Sequence, residues 1–116
     1  MPERESEIAK WIKELEERRA KLDLQIDELD LEIARIEWRM TQLRELRRKT
    51  EEGAIQVAQP QVIAEKTQQE IKNLARLKGE RRERKGEIAG DRDFYSALVS
   101  YLRSQLESAP EKPSAG

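Results

Sequence analysis

The chain has 116 residues, 41% of them charged and only 4% aromatic, and its 23 Lys and Arg against 24 Asp and Glu leave a net charge of −1. That balance excludes a thick globular core and is the composition of long helices and coiled coils. With neither cysteine nor histidine, the chain lacks disulfides, thiolates and imidazoles, so the expectation is a non-enzymatic protein with no cofactor and no metal.

Residues 1–5 are polar and are expected to be disordered. The opening "MPERESEIAK" has no signal-peptide core, and no run approaches the roughly 18 apolar residues of a membrane span. The expected setting is therefore the cytoplasm. Disorder of residues 6–107 would need high net charge and few apolar residues, whereas the apolar residues here form a regular stripe.

Helix 1 is predicted over residues 6–52. Ile8, Ile12, Leu15, Leu22, Ile26, Leu29, Ile33, Ile36, Met40 and Leu43 recur at alternating four- and three-residue steps, missing only at Arg19 and fading at Arg47 and Thr50. A stripe sustained over that many heptads marks a coiled-coil seam. Ser6 is the candidate N-cap, and Gly53, after the basic turns of Arg47, Arg48 and Lys49, is the candidate stop. Residues 53–60 read as a connecting loop, since Gly53 and Pro60 exclude a helix interior.

Helix 2 is predicted over 61–107. Its seam runs Ala64, Thr67, Ile71 and Leu74, then Lys78, Arg81 and Lys85 at the same phase, then Ile88, a miss at Arg92, Tyr95, Val99, Leu102 and Leu106. Two readings stand for 79–91. Retention of phase across the polar gap favours one continuous helix. Gly79, Gly86 and Gly90, each about 1 kcal/mol worse than Ala in a helix, allow a break with a fresh start capped by Asp91. The tail, 108–116, is rich in Pro, Ser and Gly and is expected to be disordered.

Two helices of similar length joined by a short loop make an all-α antiparallel hairpin. Folding about the loop brings level those residues whose numbers sum to about 113 or 114, so Met40 meets Leu74, Leu43 meets Ile71, Ile26 meets Ile88 and Leu15 meets Leu98 or Val99. The same folding sets the basic stretch 76–87, net +3, opposite the acidic stretch 23–37, net −5. Lys78, Arg81 and Lys85 are then expected to lay their aliphatic stems over Leu29, Ile33 and Ile36 and give their charges to acids at the rim, holding the register.

Helix 1 has more apolar residues than one seam needs. Leu24, Leu31 and Trp38, spaced by seven, lie opposite it. At the other end Trp11, Phe94, Leu98 and Tyr101 widen the apolar face beyond what one partner helix covers. These residues predict self-association into a dimer of hairpins forming a four-helix bundle. The loop, with Ile55, Val57 and Val62 above Arg47 and Arg48, is a candidate tip for binding another protein, or an ordinary connector whose apolar residues cover the bundle end.

The functional expectation is a structural or adaptor protein. The alternative is nucleic-acid binding through the basic clusters 39–49 and 76–85. Against it stand a slightly negative net charge, no aromatic residue interleaved with either cluster, and no zinc-finger, RNA-recognition or basic-zipper pattern. Gly79, Gly86 and Gly90 lack the spacing and the preceding strand of a phosphate-binding loop.

Overall fold

A computed structural model describes residues 2–108 of the chain. They form two helices, α1 (Pro2–Glu51) and α2 (Pro60–Ser108), paired as a helical hairpin with no strand among the described residues.

Helix α1 starts at Pro2, so residues 2–5, expected to be disordered, are helical instead. Glu3 and Glu5 lie in the first turn, where carboxylates oppose the positive end of the helix dipole. Ser6 is thus inside the helix and does not cap it. At the other end the backbone closes as a Schellman motif. Gly53 has φ +80°, its N–H reaches the Thr50 carbonyl at 3.3 Å, and the Ala54 N–H reaches the Lys49 carbonyl at 2.9 Å. Only a residue without Cβ takes this left-handed position at no steric cost. Helix α2 starts at Pro60, one residue before the expected 61; the Val62 N–H bonds the Gln59 carbonyl at 3.0 Å. It runs unbroken through Gly79, Gly86 and Gly90, so the break allowed within 79–91 is absent. The tail lies outside the described residues, except Ser108, which is the last residue of α2.

The contacts divide the chain into two compact units, residues 1–27 with 86–116 and residues 28–85. In the first unit Ile12, Leu15, Val99 and Leu102 form a buried cluster, with Ile8, Tyr95, Leu98 and Leu106 packed on it. Leu15 and Val99 are each 1% exposed. Ile26 and Ile88 are also buried there, and Leu22 half-buried. In the second unit Ile36, Met40 and Leu74 form the cluster, flanked by Leu43, Ile71 and Leu77.

The seam of the second unit does not fade at Thr50. Thr50 and Thr67 are both buried, and each hydroxyl donates to a carbonyl one turn back, Thr50 to Arg47 at 2.9 Å and Thr67 to Ala64 at 3.0 Å. A β-branched residue whose hydroxyl is satisfied by its own helix occupies a seam position with its methyl group as cover.

Candidate functional site

The end of the second unit away from the loop poses a packing problem. Leu29 and Ile33 on α1 are buried, yet α2 carries no apolar side chain from 78 to 85. Lys78, Arg81 and Lys85 solve it, being half-buried themselves. The Lys78 Nζ lies 3.2 Å from Glu37 Oε1, the Arg81 Nε donates to Glu32 Oε2 at 2.6 Å, and the Lys85 Nζ lies 2.6 Å from Asp30 Oδ1. Reaching those acids carries the three stems across α1 at the level of residues 29–37, while the charges stay at the wet rim. These side chains keep about 40% exposure at Arg81 and Lys85, so each pair contributes roughly 0.2–1 kcal/mol. Arg82 adds a longer contact to Glu37, at 3.5 Å.

Sequence reasoning missed the regularity of the acids. Glu16, Asp23, Asp30 and Glu37 are spaced by seven, one step beyond the seam. Each has a basic partner on α2 within its own unit. In the first unit Arg92, the apparent miss in the seam, lies 3.5 Å from Asp23 through Nη1, and Arg103 bonds Glu16. The signal was an acid at one fixed heptad position in four successive repeats, with a base roughly level with each on the returning helix.

The basic residues below the loop behave differently. The Arg47 Nε donates to Glu51 Oε1 at 3.0 Å; Arg48 holds both Glu52 oxygens at 2.8 Å and also bonds Glu45. Glu45 and Glu51 belong to the same end of α1, and Glu52 follows it directly. The hydrogen bond from Arg48 holds the Glu45 carboxyl below its ordinary pKa against an opposing desolvation, and the charges of Arg48 and Lys49 add to the lowering. Hydrogen bonds that Arg48 donates to Glu45 and Glu52 push its guanidinium pKa higher still. In the loop itself Ile55 is exposed, while Val57 and Val62 are half-buried.

Of the residues expected to face a second chain, Leu31 and Trp38 stand exposed in the second unit, at 58% and 64%. In the first unit Trp11, Leu24, Phe94 and Tyr101 are exposed, and the Phe94 ring tilts against Tyr95 with centroids 5.7 Å apart. Leu98 differs. It packs on the Leu15–Val99 cluster and is half-buried, because its position flanks the seam on the inner side. Leu46, which the seam reading passed over, is exposed as well. Beside Trp38 runs an open groove lined by Arg39, Gln42, Leu43, Glu70 and Leu74.

Among the described residues no group of three or more Asp or Glu is placed to hold a metal ion, and no helix is long and apolar enough to cross a membrane. Comparison with protein-family models, with curated proteins and with solved structures finds no match to this chain.

Proposed function

We propose that the protein is a non-enzymatic structural or adaptor element that assembles with itself, as a dimer of hairpins in a four-helix bundle, and presents that assembly to another protein. We place its work in the cytoplasm. The observation that carries the reading is the set of large apolar side chains left exposed after the hairpin has closed: Leu31 and Trp38 in one unit, Trp11, Leu24, Phe94 and Tyr101 in the other. Scattered surface leucines need no cause, but Leu24, Leu31 and Trp38 at heptad spacing on an otherwise charged helix mark a contact surface. The partner-binding tip keeps Ile55 as its exposed apolar residue, with Val57 and Val62 behind it. Arg47 and Arg48, engaged by their own helix, are set aside from it.

The nucleic-acid alternative draws weaker support. Lys78, Arg81, Arg82 and Lys85 give their charges to α1, and Arg47 and Arg48 to glutamates beside them. Sedimentation equilibrium of the full chain at tens of micromolar tests the leading reading. The expected mass is at least twice the 13.6 kDa of one chain. A monomer throughout that range would overturn it.

A further inference from the structure

The surroundings of Leu31 are specific. Glu28 stands three residues before it and Arg35 four after, so all three share one face of α1. Glu28 and Arg35 are about 10.5 Å apart along the helix and do not reach each other. Neither has an ion-pair or hydrogen-bond partner among the described residues, whereas their neighbours Asp30, Glu32 and Glu37 are engaged by α2. Ala34, exposed between them, keeps the face low.

We infer that this face docks a second copy of itself in antiparallel orientation, about a two-fold axis through Leu31. The inference rests on the self-association proposed above, not on its four-helix-bundle form: the Leu31 face lies opposite the seam, so it brings α1 against α1 with each α2 on the outer side. With Leu31 on the axis, a residue before it in one copy lies level with the residue equally far after it in the other. Each Glu28, three residues before the axis, then lies within about 1.5 Å of the level of the other copy's Arg35, four residues after it, close enough for two equivalent ion pairs around a Leu31–Leu31 contact. Parallel pairing in the same register would set Glu28 on Glu28 and Arg35 on Arg35, which like-charge repulsion disfavours. A free acid three residues before one apolar residue and a free base four after it complement each other through a two-fold, which is why the occupant is a second copy. Ala34 lets the helices approach to the usual interaxial 8–10 Å, and Trp38 lies one heptad out from the axis at each end.

The chain has no cysteine, so introduced cysteines report the geometry directly. The full-length variants L31C, E28C and R35C are oxidised under mild conditions and resolved on a non-reducing gel, with sedimentation of the unmodified chain run alongside. The positions are exposed, and unchanged melting confirms that each variant folds. L31C is expected to cross-link to itself, and an equal mixture of E28C and R35C to give the mixed dimer. E28C alone should cross-link at least about fivefold less, because its two copies lie roughly 9 Å apart along the axis, beyond the ~7 Å Cα limit of a disulfide. The mixture keeps Leu31 in place, so it tests the orientation even if L31C weakens the contact. E28C cross-linking to itself as readily as the mixture would overturn the antiparallel arrangement. A dimer by sedimentation with no cross-link in either L31C or the mixture would overturn this surface while leaving self-association standing. A monomer by sedimentation would remove both.

Discussion

Two basic stretches of the second unit place their charges in contrasting ways. Arg47 and Arg48 bond Glu51, Glu52 and Glu45, three or four residues away along the same end of α1 and its first following residue. Lys78, Arg81 and Lys85 bond Glu37, Glu32 and Asp30 on the other helix. The first arrangement would exist in any helix carrying those residues, whatever lay beside it. The second exists only when α1 and α2 are antiparallel and in one register. Local pairs therefore support a helix, while cross-helix pairs carry information about how two helices meet. The stretch that most resembles a nucleic-acid site on paper is the one whose charges are fixed by the fold.

The largest effect should come from reversing charge in the cross-helix set. R81E with K85E loses two pairs and sets new carboxylates against Glu32 and Asp30. The expected cost is about 2–3 kcal/mol, or roughly 8–12 °C in Tm by circular dichroism. The same variant, titrated with a labelled oligonucleotide at low salt, should show no binding to lose. Reversing the local set, R47E with R48E, should cost at most about 1 kcal/mol, since helix pairs contribute a few tenths each and the basic end of the dipole a similar amount. The Glu45 part of that contribution has a definite sign with pH. Its folded pKa lies below the ordinary 4.5, so its stabilisation is present above that value and is lost as pH falls through the depressed one.

A smaller change of opposite sign sharpens the contrast. A Cβ built at Gly79 meets nothing within 4 Å. Tight approach of the helices is therefore not the reason for glycine there, and Gly79→Ala should raise stability by about 0.5–1 kcal/mol in thermal melting. A loss of stability would mean that the stretch needs a flexible point for a purpose outside the hairpin.

The heptad stripe made both helices, their antiparallel pairing and the level of Met40 with Leu74 legible in the sequence, because a seam buries side chains at a fixed period. The opposition of the basic and acidic stretches followed from the same folding. Other features were legible only with coordinates. Residues 2–5 were read as frayed from their polarity, but Glu3 and Glu5 suit the first turn of a helix and nothing in the stretch breaks one. The phase of Lys78, Arg81 and Lys85 was visible, but which acids accept them was not, since long side chains reach across several residues. The seam at Thr50 was obscured because threonine counts as polar until its hydroxyl is seen bonded to its own helix, whereas Thr67 keeps the stripe of α2 and is buried as its phase implies. The exposed faces were legible as excess apolar residues, although Leu98 turned out to serve the internal cluster.

The central claim, that the basic stretch of α2 is engaged by α1, is tested most directly by a double-mutant cycle on Arg81 and Glu32, read by thermal melting. The account predicts that R81E and E32R each lower Tm by about 3–5 °C, corresponding to roughly 1 kcal/mol, and that the exchanged pair recovers most of the loss. If the losses of the two single variants simply add in the double variant, the two residues do not act on each other and the account is contradicted.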